Sequence, residues 1–254
     1  MRPIPTIAFY TLLEALRNRL AWLLVATVLA GIGVAGLLGE IAITESGPIQ
    51  AALLGAFYRF AAVFILAAFV VTSMVREFND KVLELSLSLP IPRSAYLLGK
   101  FAGFAALAAL AGLVFGLGLL PYAALPQAGL WTLSLVCELW LVAAFALLCV
   151  LTFSQAMPSL AATAGFYLLA RSIYALQLIS HGGPAEDTLF RRFTGAALDA
   201  IAALLPRLNE FGNSAWLAYP EASWQQLAPI AGQTLVYLLL LGAAALFDFQ
   251  RKNL

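Results

Sequence analysis

Three charged residues interrupt long apolar runs of this 254-residue chain: Arg59, Glu138 and Arg171. Each costs about 2.5–3.5 kcal/mol at the centre of a membrane-spanning helix, so such groups face a partner or a water-filled cavity. Glu138 falls near the middle of its run, and Arg59 and Arg171 fall within theirs. The expected arrangement is that Glu138 pairs with Arg59 or Arg171 and sets helix packing or lines a path. The alternative is that both arginines snorkel to an interface. Covalent chemistry finds little footing elsewhere. The chain lacks a G-x-x-x-x-G-K-[ST] phosphate loop, an H-E-x-x-H helix and a G-x-S-x-G elbow. Gly99–Lys100 is followed by Phe101, without a glycine at the required spacing before it. Cys137 and Cys149 share one apolar run and read as small core residues, and the single His181 cannot build a histidine metal site alone. The chain is therefore expected not to be an enzyme and to bind no metal or cofactor itself.

The second concentration of polar residues is Val75–Lys100, VREFNDKVLELSLSLPIPRSAYLLGK. Arg76, Glu77, Asn79, Asp80, Lys81 and Glu84 give dense charge of both signs after an apolar run. Asn79 or Asp80 is placed to cap a short helix, DKVLELSLSL, with Val82, Leu85 and Leu89 on one face. Pro90 and Pro92 stop it, because proline cannot continue a hydrogen-bonded helix, and Ser94 is placed to cap the next one. A plain connector needs only about 2–8 residues. The segment thus reads as a short, stiff contact element, with a solvated loop as the alternative.

The elements that must position these groups follow from composition. The chain is 63% hydrophobic and 11% charged, with mean hydropathy +0.92, against about 25% charged residues in a soluble domain. Lipid must be the solvent for much of it. Six runs are long and apolar enough to span a bilayer: Leu20–Leu38, Ala51–Met74, Ala95–Leu120, Gly129–Thr152, Ser159–Leu178 and Leu227–Phe247. They are apolar all round rather than alternating, which predicts helices and excludes an outer-membrane barrel. One side carries Arg2, Arg17, Arg19, Arg76, Lys81, Arg93, Lys100, Arg251 and Lys252, and the other only Arg191, Arg192 and Arg207. The bias predicts both termini in the cytoplasm. The first run is longer than a signal-peptide core, so cleavage is not expected. A net charge of +1 gives no basic field for nucleic acid.

Outside the spans, Ile4 to Arg19 reads as an amphipathic interfacial helix, with Ile4, Ile7, Ala8, Leu12, Ala15 and Leu16 at helical spacing. The alternative is a simple extension of the first span. Between the fifth and sixth spans, the loop 179–226 contains a turn-forming SHGGPAED and a second amphipathic helix over Thr188–Leu205, ended by Pro206. Trp216, Tyr219 and Trp224 follow, as near a membrane interface. This loop is either an outer gate or a surface connection. Gly112 and Gly116 form a G-x-x-x-G, and Gly31, Gly33, Gly36 and Gly39 line the first span, allowing close packing.

The stretch REFNDKVLELSLSLPIPRSAYLLGK resembles the coupling region of ABC-2-type transporter permeases. That family shows an acidic–basic cluster, a leucine-rich helix, and a proline–arginine–glycine–lysine pattern opening the next span. Glu84 and Leu85 match its middle, and Pro90, Arg93, Gly99 and Lys100 its end, while Asn79–Asp80 stands in place of Gly-Thr and Pro92 in place of Ser. The layout of an amphipathic N-terminal helix, six spans, a large outer loop and a basic tail is similar over residues 1–254. What the resemblance implies is an all-α, single transmembrane domain in a bacterial inner membrane, working as the permease subunit of an ATP-driven transporter, by expectation an exporter. Its coupling region, 75–94 with Arg76, Glu77, Asp80, Lys81, Glu84, Leu85, Pro90, Pro92, Arg93 and Lys100 as its marked residues through the next span's start, would rest on a cytoplasmic ATPase subunit. ATP and Mg would be bound there, not on this chain. The permease would pair with a second copy or a related chain. The alternatives are a scaffold or assembly subunit that uses ATP-driven mechanical work without cargo, and a carrier of another kind.

Overall fold

The structure, a computed structural model, describes residues 3–41, 46–80, 92–182, 189–219 and 223–251. Among these, all regular structure is helical. Helix α1 covers Pro3–Arg17, α2 Leu20–Ile41, α3 Ser46–Asn79, α4 Arg93–Leu119, α5 Leu125–Phe153, α6 Ala156–Gly182, α7 Leu189–Leu204, a short α8 Ala215–Ala218, and α9 Leu227–Arg251. Six helical stretches, within α2, α3, α4, α5, α6 and the Trp224–Arg251 segment, are long and apolar enough to cross a membrane. This is the pattern of a multi-pass membrane protein.

Local chemistry sets the boundaries. Pro3 and Pro5 occupy the first turn of α1, where a missing N–H costs nothing. Arg19 adopts a left-handed conformation, φ 58°, and turns the chain from α1 into α2. Ser154, φ 56°, does the same between α5 and α6 while its N–H bonds the Val150 carbonyl. Two expectations need correction at the ends of α3 and α4. The second span does not stop near Met74: α3 continues as helix through Arg76 and Glu77 to Asn79, because their charges find partners on neighbouring helices. Ser94 does not cap α4. Pro92 holds the cap position in extended backbone, and its carbonyl accepts the N–H groups of Ala95 and Tyr96.

Helices α3, α4 and α5 form the centre, with more than half of each span buried, while α2, α6 and α9 lie outside them. The core is aromatic and aliphatic: Trp131, Tyr58, Phe104, Phe115 and Tyr167 are fully enclosed. Small residues bring the backbones together, as in membrane bundles that lack a water-driven force between helices. Gly112 and Gly116 of α4 face Val136 and Thr132 of α5. Gly31 of α2 lies under the Tyr58 ring, whose hydroxyl donates to the Val28 carbonyl at 2.8 Å. Gly33 and Gly36 face no neighbour within 4 Å. A Gly116→Val substitution drives a branched side chain into Thr132, and overpacking of this kind costs about 1–3 kcal/mol. A drop in the detergent melting temperature is the expected reading, and an unchanged value would contradict the α4–α5 packing.

Helix α1 lies along the N-terminal end of α4. A Cβ on Gly99 would sit 2.8 Å from Ile7 Cβ, and one on Gly103 only 2.6 Å from Thr11 Cβ. Thr11 and Ala15 are the buried centre of α1, with Ile7, Ala8 and Leu12 beside them. Ile4 and Leu16, expected on the apolar face, are exposed, as are Phe9 and Tyr10. The helix therefore packs through its small residues and leaves larger apolar groups outward, for an apolar surround.

Candidate functional site

Two polar clusters stand out against the apolar bundle. The first flanks the segment 81–91. Tyr96 and Lys100 are one turn apart on α4 and so share a face. Both donate to the same carboxylate, Glu77 of α3: the Tyr96 hydroxyl to Oε2 and Lys100 Nζ to Oε1. Lys100 is 6% exposed, so its charge depends on this partner. Glu14 of α1 accepts from Ser73 Oγ at 3.0 Å and from Arg76 at 2.6 Å. Arg93 donates to the Phe249 carbonyl of α9 at 3.3 Å, and the Tyr96 ring stacks on Phe249 with 6.0 Å between centroids. Thus α1, α3, α4 and α9 are joined where the segment leaves and re-enters the bundle. Asp80 and Pro92 are exposed at its two ends. Lys81, Glu84, Leu85 and Pro90 lie outside the described residues, as does most of the expected short helix.

The second cluster lies deep in the bundle. Measured from the opposite end along each helix at about 1.5 Å per residue, Arg59 on α3, Glu138 on α5 and Arg171 on α6 all sit roughly 16–20 Å down. Glu138 is fully buried, and Arg171 reaches its Oε1 at 3.3 Å. Arg59 turns elsewhere. Its NH1 donates to the Gly212 carbonyl at 2.5 Å, and Arg171 donates to the carbonyls of Leu208 at 2.6 Å and Phe211 at 3.2 Å. The Gly212 N–H donates to Ser134 Oγ on α5 at 2.9 Å.

These acceptors belong to the loop between α7 and α9, which folds inward rather than lying over the surface. Leu208, Phe211 and Leu217 are buried in the core, and Trp216, expected at an interface, packs there too, while Tyr219 and Trp224 remain exposed. Leu217 sits against Gly55 of α3. Irregular backbone at such depth must have its polar groups satisfied by protein. The two arginines and Ser134 supply those bonds, which accounts for charges in otherwise apolar helices. Gly212 is at φ 53°, and a Cβ there would approach Arg59 Cδ at 3.1 Å. Gly212→Ala is expected to cost about 1–2 kcal/mol from the left-handed backbone alone. A melting temperature equal to that of the unaltered protein would rule out this conformation.

Tyr167 of α6, fully buried one turn from Arg171, completes the cluster and interacts with both Glu138 and Arg59. Sequence reasoning named the three charges but not Ser134, Tyr167 or Gly212. The signal available was the apolar spacing of Leu208, Phe211, Trp216 and Leu217 within a nominal loop. Cys137 and Cys149 are free thiols within α5. No family model matches this chain, and no curated protein matches it.

Proposed function

We propose that this chain is the membrane subunit of an ATP-driven transporter of the ABC-2 type, embedded in a bacterial inner membrane with both termini in the cytoplasm, and that residues 75–94 take up the motion of a separate cytoplasmic ATPase. The observation that carries the reading is the Glu77–Tyr96–Lys100 clamp. It joins the helix before the segment to the helix after it through one partly buried carboxylate. Force applied to the intervening segment then acts on α3 and α4 together, and through Glu14 and Arg93 on α1 and α9. A loop between untied helices would absorb the motion. The resemblance of the segment to permease coupling regions supports the same assignment, as do the six apolar helices.

In this reading the inward-folded segment 207–219 is the outer gate. It closes the interior between α3, α5 and α6, and its arginine bonds are the latch that helix tilting would loosen.

The test is recovery of this chain from its native cells in mild detergent, with its partners read by mass spectrometry. A phosphate-loop ATPase should accompany it and be lost when Glu84–Arg93 is scrambled in a chain that still inserts. Recovery of the intact chain without any ATPase would overturn the assignment and favour an autonomous carrier or scaffold.

A further inference from the structure

A groove of about 400 Å³ runs between α2 and α3 at the N-terminal end of the bundle. Its walls are Leu23, Phe64, Ile65, Ala68 and Phe69, and its mouth carries Asn18, Arg19 and Thr72. From the level of Thr72 to that of Phe64 the groove rises about 12 Å along α3 at 1.5 Å per residue. It opens sideways past Leu23 and Phe64, which are 50% and 42% exposed. Binding sites for small molecules occupy about 300–1,000 Å³ and combine apolar walls with a few polar groups, which is the composition here.

Among the described residues, the charge at the mouth has no acidic partner. Arg19 is exposed, as is Arg17 outside the groove, and neither has a carboxylate partner among the described residues. Glu14, the acidic residue one turn earlier on α1, is engaged by Arg76 and Ser73. Arg19 is also held in the left-handed backbone region, which fixes the elbow between α1 and α2 beside the groove. A non-glycine residue in that region is strained, and such strain gathers at functional sites. The guanidinium fork matches a phosphate in geometry as well as charge.

We propose that this groove holds one anionic phospholipid, with its phosphate at Asn18 and Arg19 and an acyl chain laid along Phe64, Ala68 and Leu23. The occupant is a lipid rather than a free phosphate because the wall above the arginine is apolar and open to the side. It is an anionic lipid because each basic residue near a membrane surface favours one over a zwitterionic lipid by about fivefold. The site is independent of the transport assignment.

Native mass spectrometry of the full chain, delipidated and then exposed to phosphatidylglycerol or phosphatidylcholine, tests it. Phosphatidylglycerol should be retained at least about fivefold better. Arg19→Asn tolerates the left-handed backbone while removing the charge, so it should lower that preference by about fivefold with folding unchanged. Ala68→Phe fills the groove and should lower retention of both lipids. Equal retention of the two lipids by the unaltered chain, or an undiminished preference in Arg19→Asn, overturns the proposal. Loss of preference in Arg19→Asn with full retention of both lipids in Ala68→Phe also overturns it, since the lipid would then bind the surface and not the groove.

Discussion

Arg171→Leu should destabilise the protein by about 3–5 kcal/mol, the range found when one partner of a buried ion pair is removed. The substitution leaves Glu138 fully buried without its ion-pair partner and strips donors from the Leu208 and Phe211 carbonyls. Both losses fall in a region where water cannot easily substitute, so each group is left with its desolvation cost. The loop should then leave the bundle, carrying Trp216, only 8% exposed in the docked state, toward water. Two readings follow: a lower melting temperature in detergent, and a red shift of tryptophan emission below that temperature. Glu138→Gln keeps an acceptor for Arg171 while removing the charge, and should cost only about 1–2 kcal/mol. The Glu138→Leu, Arg171→Leu double variant should recover part of the Arg171→Leu loss, because an apolar pair replaces a stranded charge. Recovery stays incomplete, since the two carbonyls still lack a donor. An Arg171→Leu protein with unaltered melting and emission would remove the docking role of the cluster.

The second large effect is expected at the other end. Glu77→Leu leaves Lys100, 6% exposed, and the Tyr96 hydroxyl without their shared acceptor. A cost of about 3–5 kcal/mol is expected on the same grounds. Arg76→Ala is the informative contrast. Arg76 lies in the neighbouring pair with Glu14, but its side chain is 49% exposed and that of Glu14 29%. Exposed pairs contribute about 0–1 kcal/mol, so this variant should be nearly neutral in melting. The two pairs can then be separated by function. If the clamp transmits motion in the proposed complex, Glu77→Gln in a chain that still assembles should leave the partner ATPase active but uncoupled from movement of the outer segment. Equal effects of Glu77→Leu and Arg76→Ala on melting would show that burial does not distinguish the pairs, contrary to the geometry.

Much of the architecture is legible along the chain. Each of the six apolar runs coincides with a helix, the third passing the end of α4 only at Leu120, because length and all-round hydropathy are local properties and the spanning elements answer to them. The cost of charge in an apolar run likewise marks Arg59, Glu138 and Arg171 as residues with partners, and the pair Gly112–Gly116 as a place of close approach. The limits of local reading appear at Met74, where hydropathy falls but the helix does not end. Arg76 and Glu77 are good helix formers whose charges are met by groups on α1 and α4, information absent from their own neighbourhood.

That the chain is a set of apolar helices with a few costly charges follows from residue order alone, since hydropathy and periodicity act over one element at a time. What those charges hold is set by the packing of the helices. Glu138 faces Arg171, while Arg59 faces the Gly212 carbonyl, across 153 positions of chain. That choice depends on how α3, α5 and α6 are rotated about their axes and on a loop that turns inward instead of outward. The inward path is favoured because Leu208, Phe211, Trp216 and Leu217 can be buried only if the loop's carbonyls meet donors at that depth, and two helices supply them. Apolar burial and backbone hydrogen bonding thus have to be satisfied in one place, and that condition exists only after the helices have come together.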